Sequence, residues 1–240
     1  MKVNILETGS AGNCIIATFS DSRKVIFDFG HGAWKLCIKE NIDFHEVDNV
    51  LITHQHLDHC ADYHRISSLN FSRWLKVKEF EVLHNCENKG FIVMNDKTQE
   101  GFIYMTDYHT IPPSSLETIK KHIAFTTWRW MIMMELSYCR FLYKKLDNIQ
   151  RIGLQNHCSD ERFFDYANQF LAVNRDANII SLHASARQGE FELGANKTGD
   201  VCPPDWCREQ FYKRFAGASV RFGEAKGMYG TYNYIDRDFK

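Results

Sequence analysis

The sequence lacks an excess of either charge: 29 Lys and Arg residues face 30 Asp and Glu residues, so the formal net charge is −1. Proteins that hold long nucleic-acid duplexes usually carry a basic excess, because contacts with phosphates supply much of their affinity. Two short basic segments, residues 120–122 and 143–146, are the candidates for a local basic groove. The balanced charge gives no support to a large duplex as a partner, and it suits a small anionic substrate at least as well.

Long apolar runs are absent as well. The most apolar stretch, residues 125–143, is interrupted by Arg129, Glu135 and Arg140, each of which is costly at the centre of a bilayer. The opening residues, MKVNILETGS, lack the apolar segment of a secretory signal, and the eight cysteines show no repeated spacing. We therefore expect a cytoplasmic protein with reduced thiols and no membrane partner.

The composition, 44% hydrophobic and 14% aromatic, is sufficient for a large core. Apolar runs bounded by Gly, Ser, Asn and Asp predict strands, and apolar residues at helical spacing predict helices. Because strands and helices follow each other in two successive groups, we expect one α/β domain over residues 1–240 with a sandwich architecture. The predicted strands are 2–8, 14–19, 24–30, 50–53, three within 80–109, and 178–183; the predicted helices are 32–41, one beginning near 61, 115–146 and 159–173.

The segment 110–150 is rich in Trp, Met and Phe. Trp128, Met131, Met134 and Tyr138 follow a helical spacing while other apolar residues cover a second face, so we expect a helix that is buried on more than one side. This helical insert is either an ordinary part of the core or a lid or dimer element whose aromatic side chains stack on a base.

The stretch LITHQHLDHC, residues 51–60, places His54, His56, Asp58 and His59 close together in a chain with only 11 histidines. Imidazole nitrogens and carboxylate oxygens are good ligands for divalent zinc, manganese or iron. In an extended segment His54 and His56 point the same way, and the other two follow as the chain turns. One loop can therefore provide ligands for two adjacent metal sites.

Three further candidate ligands end apolar runs elsewhere: His84, Asp107 and His183. Strand ends meet at the edge of a sheet, where they can present side chains to one point. Together with the histidine-rich loop they complete the ligand set that a dinuclear site with one bridging carboxylate requires.

The motifs FDFG, THQHLDH, LHN, TD and LHAS resemble those of the metallo-β-lactamase-fold hydrolases. This resemblance extends over about residues 1–190 and implies an αββα sandwich with two divalent cations, zinc or alternatively manganese, at one edge of the sheets. It also implies that Asp28 orients a ligand imidazole. The implied ligands are His54, His56 and His84 for one cation and Asp58, His59 and His183 for the other, with Asp107 bridging them.

Within that superfamily, TGSAGNC and NHCSDERF resemble the phosphodiesterase branch of YycJ/WalJ proteins and tRNA 3′-processing enzymes. The resemblance makes His157 a site residue that binds no metal. The chain departs from the branch at residues 106–110, where TDYHT replaces a Thr-Asp-Thr-Gly turn, which places the bulkier Tyr108 and His109 near the cations and argues against a direct transfer of DNA exonuclease activity. Within this branch, the short length of the chain, its neutral charge and its amino-terminal turn resemble those of phage-encoded anti-Pycsar enzymes. Those enzymes degrade the cyclic pyrimidine signals of bacterial antiviral defence and work as homodimers.

The chemistry expected from such a site is hydrolysis of a phosphodiester by a hydroxide that bridges two cations. Asp58 and His157 are the expected catalytic residues, with His157 giving a proton to the departing alkoxide because histidine titrates near neutral pH. Ser10, Asn13 and Ser185 are the residues expected to contact the substrate.

Four functions stay open at this point. The first is a homodimeric phosphodiesterase that hydrolyses cyclic mononucleotides (cCMP and cUMP, with cAMP and cGMP as further substrates) and disarms antiphage signalling in the host cytoplasm. The second is a DNA or RNA nuclease of the YycJ or tRNA 3′-processing type. Hydrolysis of a thioester or lactone is the third, and a non-catalytic metal-binding module is the fourth.

Overall fold

A computed structural model describes residues 1–9, 12–138 and 154–182, together with the backbones of 220–222 and 232–233. The strands in these ranges are β1 Lys2–Glu7, β2 Cys14–Thr18, β3 Lys24–Phe27, β4 Val47–Leu51, β5 Lys76–Glu81, β6 Lys89–Asn95, β7 Glu100–Met105, β8 Arg129–Glu135, β9 Asn178–Leu182, β10 Val220–Phe222 and β11 Tyr232–Asn233. The α-helices are α1 Ala33–Lys39, α2 Leu57–Cys60, α3 Pro113–Ile123 and α4 Asp160–Val173.

The strands form two mixed sheets. The first sheet has the order β11-β1-β2-β3-β4, and the second has the order β10-β9-β8-β7-β6-β5. In the first sheet β11, β1, β2 and β3 are antiparallel neighbours, and β3 and β4 run parallel. In the second sheet β5, β6 and β7 are antiparallel neighbours, whereas β7, β8, β9 and β10 run parallel. Parallel neighbours bring their carboxyl ends to the same edge, and the connections that follow those ends carry the polar residues described below.

Three clusters of buried side chains show that the architecture has four layers. One cluster lies between the sheets and joins residues such as Phe27 of β3 to Tyr104 of β7. A second lies between the outer face of the second sheet and helices α3 and α4, and a third lies between the first sheet and α1. This helix–sheet–sheet–helix order confirms the predicted α/β sandwich.

Most predicted elements are confirmed, including the strands of the first fifty residues, the three strands of the second sheet and the helix that begins after Ser159. The Ser159 side chain accepts a hydrogen bond from the backbone N–H of Arg162 and so caps α4. The helix predicted to begin near residue 61 is instead a short helix that begins earlier, since α2 covers Leu57–Cys60.

The prediction of a helix over 115–146 is wrong after Ile123, because residues 129–135 are strand β8, which lies between β7 and β9. Trp130, Ile132 and Met134 face the cluster under the helices, while Met131 and Met133 face the cluster between the sheets. A strand covered on both faces has no polar alternation, so its apolar run cannot be told from a buried helix by periodicity. Residues 139–150 of the expected insert lie outside the described residues.

The two carboxy-terminal strands belong to different sheets. Strand β10 lies parallel to β9 in the second sheet, and β11 pairs with β1 in the first. In the part of the chain that the structure describes, none of the helices combines the length and the apolar character that crossing a membrane would need.

Candidate metal centre

One edge of the two sheets collects polar side chains from strand ends. Asp28 follows β3, Thr53 and His54 follow β4, and Asp107 follows β7. Glu135 is the last residue of β8. All five of these residues are at least 97% buried. Buried charges require partners, so this edge must hold compensating groups.

Asp107 lies between the imidazoles of both sheets. Its Oδ2 atom is 3.8 Å from Nε2 of His54 and 3.9 Å from Nε2 of His84. Its Oδ1 atom is 3.4 Å from Nε2 of His59, which is also 3.3 Å from Oδ2 of Asp58. The carboxylate thus presents one oxygen to each of two imidazole groups, which is the arrangement that a bridging ligand needs.

Asp28 orients the imidazole of His59 from behind. It is fully buried, and its Oδ2 accepts hydrogen bonds from His59 Nδ1 at 2.8 Å and from the Tyr104 hydroxyl at 2.7 Å. Its Oδ1 accepts from the backbone N–H and the hydroxyl of Thr53. Because Nδ1 of His59 is held by a carboxylate, Nε2 is the atom turned towards Asp107.

His54 and His84 are held in the same way. The Thr53 hydroxyl donates to Asp28, so its oxygen accepts from Nδ1 of His54 at 3.0 Å. Nδ1 of His84 donates to the carbonyl of Asn156 at 3.1 Å. In all three imidazoles the Nδ1–H points outwards and Nε2 points to the centre of the cluster.

The residues fit divalent cations. The His84 side chain is only 2% exposed, and its buried Nε2 atom has no hydrogen-bond partner. Nε2 of His54 lies 2.9 Å from Nδ1 of His56, so two further basic nitrogens converge on the same place. Two groups have their ligand atoms mutually within 4.8 Å: His54, His56, His84 and Cys86, and His54, His59 and Asp107. An orphaned buried imidazole nitrogen beside two others and a carboxylate is the donor set that zinc takes.

The pKa values within the cluster depend on which charges surround each imidazole. Burial and the nearby His59 lower the pKa of His54 to about 3. Burial also opposes the charged form of His59, but the carboxylates of Asp28 and Asp107 raise its pKa well above the ordinary value. Burial lowers the pKa of His84. His54 and His84 therefore keep the lone pairs that metal ligation needs at neutral pH.

Backbone strain is stored at two of these positions. Asp28 has φ 56° and Asp107 has φ 51°, in the left-handed region that few residues other than glycine adopt. Aspartate is among the side chains that tolerate this region best. Both conformations turn a carboxylate back to the sheet edge directly after a strand ends.

A third group extends the cluster towards α4. Glu135, Asp107 and His157 have ligand atoms mutually within 4.8 Å, and Nδ1 of His157 donates to Oε1 of Glu135 at 2.7 Å. The other oxygen of Glu135 accepts from the backbone N–H of Tyr108 at 2.8 Å. The rings of His157 and His84 lie 5.3 Å apart. His157 is thus next to the cluster and oriented by a buried carboxylate.

The structure brings together six of the seven predicted ligands: His54, His56, Asp58, His59, His84 and Asp107. The seventh, His183, lies outside the described residues, as do Ser10 and Ser185. Asn13 is fully buried; its Oδ1 accepts from the backbone of Gly9, and its Nδ2 donates to Gly9 O and lies 3.0 Å from Nε2 of His59. Its contact with a substrate stays a prediction, while in the structure it ties the glycine-rich turn to the histidine-rich loop.

One expectation about a neighbouring residue is wrong, and one residue beside the centre was not predicted. Tyr108 was expected near the cations, but its side chain is fully buried in the cluster under α3 and α4. Cys86 was not singled out, although it is two residues from His84 and belongs to one of the groups of converging donors. The spacing His84-Asn85-Cys86 was the available signal, and a single exposed cysteine carries little information by itself.

Sequence comparison with known proteins identifies nothing: neither a protein-family model nor a curated protein matches this chain. Solved structures do match. The metallo-β-lactamase fold protein YhfI from Bacillus subtilis has a TM-score of 0.59 and 12% identity, covering 96% of this chain and 98% of that one.

Two further structures cover most of the chain. Zn²⁺-bound PqqB from Methylobacterium extorquens has a TM-score of 0.57 and 10% identity, with 97% of this chain and 100% of that one covered. Human tRNase Z, short form, has a TM-score of 0.53 and 15% identity, with 78% and 94% covered. Likeness at such low identities establishes the architecture alone: the chain has the metallo-β-lactamase fold.

Proposed function

We propose that the protein is a metal-dependent phosphodiesterase that hydrolyses cyclic mononucleotides. One observation carries the metal-dependent part: the Nε2 atoms of His54, His59 and His84 converge on the Asp107 carboxylate, and that of His84 is buried without a partner. A ligand nitrogen that is buried without a hydrogen-bond partner destabilises the folded protein, and a bound cation removes this cost.

Two cations would be held as the resemblance implies. His54, His56 and His84 would hold one, Asp58, His59 and His183 the other, and Asp107 would contact both. Zinc suits the imidazole-rich set, and manganese is the alternative. When bound, such a pair lowers the pKa of a water molecule towards neutrality and neutralises charge that develops on a phosphodiester.

His157 would supply the proton that the departing alkoxide requires. Glu135 accepts a hydrogen bond from Nδ1 of His157, so Nε2 would be the atom that exchanges a proton with a substrate. The buried Glu135 carboxylate also stabilises the imidazolium form that precedes the transfer. Asp58 would orient the attacking water beside His59, because Oδ2 of Asp58 lies 3.3 Å from Nε2 of His59.

The balanced charge of 29 basic and 30 acidic residues supports a small substrate over a long nucleic acid. The sequence resemblance to anti-Pycsar enzymes adds the class of substrate, a cyclic pyrimidine nucleotide, and a homodimer acting in the cytoplasm of an infected bacterium. A nuclease is the second candidate, because human tRNase Z, whose name describes a ribonuclease, has the same fold. Both candidates cleave phosphodiesters with the same metal ligands.

A substrate panel separates the candidates. Purified protein loaded with zinc or manganese is offered cyclic UMP, cyclic CMP, cyclic AMP, linear DNA, a tRNA precursor and bis-(4-nitrophenyl) phosphate. We expect loss of the cyclic mononucleotides alone among the biological substrates, with Asp107→Asn as the inactive control. Shortening of DNA or RNA without loss of cyclic nucleotides would replace the proposal by the nuclease. Full metal occupancy without any hydrolysis would end both.

A further inference from the structure

We propose that Cys86 supplies a thiolate ligand to the cation held by His54, His56 and His84. This inference rests on the metal centre proposed above and adds a ligand to it. The sulfur of Cys86 and one nitrogen of each of the three imidazoles all lie within 4.8 Å of one another. A cation that the three imidazoles bind is therefore within reach of the sulfur after a small side-chain rotation.

The unsatisfied nitrogen of His84 supports this site independently of the cysteine. The His84 side chain is 2% exposed and aimed into the group, and its Nε2 has no hydrogen-bond partner. The rings of His54 and His56 lie 5.2 and 5.3 Å from that of His84. Three imidazoles that face one another in this way form a site for one cation, and Cys86 borders that site.

The turn that carries Cys86 is tied to the centre. Leu83 pairs with Thr110, and the backbone N–H of Val82 donates to the carbonyl of Asn88, which closes the turn. The side chain of Asn88 donates to the carbonyls of Thr106 and Asp107. These bonds hold the tip of the turn beside the Asp107 carboxylate, although Cys86 itself is exposed to solvent.

A thiolate ligand would change the properties of the centre in a definite way. Sulfur favours zinc or cobalt over manganese, because soft ligands prefer the softer cations. Three imidazoles, the shared Asp107 carboxylate and one thiolate would give this cation five protein ligands, whereas catalytic zinc keeps one position open. On binding, the S–H proton is released to solvent and a sulfur–metal bond forms, with no oxidant involved. Because Cys86 is exposed, it is the ligand that a phosphate oxygen of the substrate would be able to replace.

Cobalt substitution tests the inference by a spectroscopic signature. Wild type, Cys86→Ala and the matched control Cys60→Ala are loaded with Co²⁺, and both absorption and metal content are measured. Cys60 is a suitable control because it directly follows His59 but donates to the carbonyl of Gln55 and is outside the group. We expect a near-ultraviolet thiolate-to-cobalt band in wild type and Cys60→Ala, and its loss in Cys86→Ala with cobalt still bound.

The outcomes distinguish the two proposals. Cobalt bound by wild type without the band, or a band that survives in Cys86→Ala, overturns the thiolate ligand and leaves the metal centre standing. Failure of wild type to bind any cobalt overturns the metal centre, and the thiolate ligand with it.

Metal affinities give a second readout that does not depend on activity. We expect Cys86→Ala to raise the Kd for zinc by about tenfold or more while that for manganese changes little, because only zinc gains from a soft ligand. An equal change for both cations contradicts the role of the sulfur. Zinc should also slow alkylation of Cys86 by iodoacetamide, since a metal-bound sulfur is a poorer nucleophile, and should leave alkylation of Cys60 unchanged.

Discussion

The first sheet encloses His59 in a closed set of hydrogen bonds, whereas the second sheet adds two more exposed groups, Cys86 and His157, beside its buried ligand candidates. His59 is fully buried, and Asp28 behind it accepts four hydrogen bonds. On the other side His84 has one hydrogen bond, at Nδ1, and Cys86 is exposed on its turn. The side chain of His157 is 17% exposed.

This difference suggests a division of work between the part of the centre that follows the first sheet (the first side) and the part that follows the second sheet (the second side). Bonds that fix a ligand in advance reduce the cost of ordering it when a cation binds. We therefore expect the first sheet to determine where a cation binds. Ligand exchange and substrate contact need accessible groups, and on the side of the second sheet these are Cys86 and His157. Substitutions on the first side should affect metal affinity, and those on the second should affect metal preference and turnover.

The largest effect is expected where the two sides meet, at Asp107. Asp107→Asn removes the negative charge but keeps a side chain that tolerates the backbone φ of 51°. We expect loss of at least one cation and a fall in phosphodiesterase activity of about 10²–10³-fold, the size typical for one preorganised electrostatic contact. Metal analysis and kinetics measure both. Normal turnover at normal metal content would remove the bridging role of this carboxylate.

The next effect tests the rigidity of the first side, at Gly30. A Cβ at this position would lie 1.8 Å from the carbonyl oxygen of Asp58 and 2.9 Å from the backbone nitrogen of Asn13. Gly30→Ala must therefore displace the histidine-rich loop, at a cost of about 1–3 kcal/mol or more in the free energy of unfolding. We expect weaker zinc binding as well.

Gly32→Ala is the matched control for that experiment. Gly32 lies two residues away with φ 82°, and a Cβ there meets no atom within 4 Å. It should lower stability by about 1–2 kcal/mol through its backbone conformation alone and leave the zinc affinity unchanged. Chemical denaturation and zinc titration of both variants decide the matter; equal zinc affinities would show that the loop is not held rigidly.

A smaller effect is expected from Asp28, which acts on the cation only through His59. Asp28→Asn preserves the shape and suits the φ of 56°, but it gives His59 Nδ1 a neutral acceptor. We expect zinc affinity to fall by about 10–100-fold, the range for such supporting residues. Asp48→Asn is the control, since Asp48 is an equally buried aspartate in β4 that accepts from the backbone of Trp74 and Leu75. A similar loss of affinity in both variants would contradict a specific role for Asp28.

The sequence predicted strands β1 to β4 well, and it placed four candidate ligands in one loop, because both features depend on local patterns. Short polar turns separate β1, β2 and β3, and the loop of candidate ligands is one continuous motif. Strand β8 was misread because both of its faces are covered, which removes the alternation that marks a strand. Single ligands such as His84 were found only because each ends an apolar run.

Contacts made by tertiary structure alone could not be read in this way. Cys86 is placed beside three imidazoles by the pairing of Leu83 with Thr110 and by the bonds of Asn88. The pairing of Glu135 with His157 likewise depends on how the start of α4 packs against the end of β8. No spacing along the chain encodes either contact, since the partners are distant in sequence or lie on a turn without periodicity.

The smallest effect concerns stability and a carboxylate of the first side whose charged form is poorly accommodated. Glu7, at the end of β1, is 7% exposed, and burial raises its pKa from 4.5 to about 7. The folded protein therefore holds this proton more tightly than the unfolded chain, so stability falls as pH rises from about 4.5 to 7, and the full penalty applies above pH 7. Glu7→Gln, in metal-free protein, should raise the free energy of unfolding by about 1–3 kcal/mol at pH 8 relative to its effect at pH 4.5. Denaturation at both pH values measures this, with the exposed Glu81→Gln on β5 as control; a pH-independent effect of Glu7→Gln would show that the first side accommodates the charged form after all.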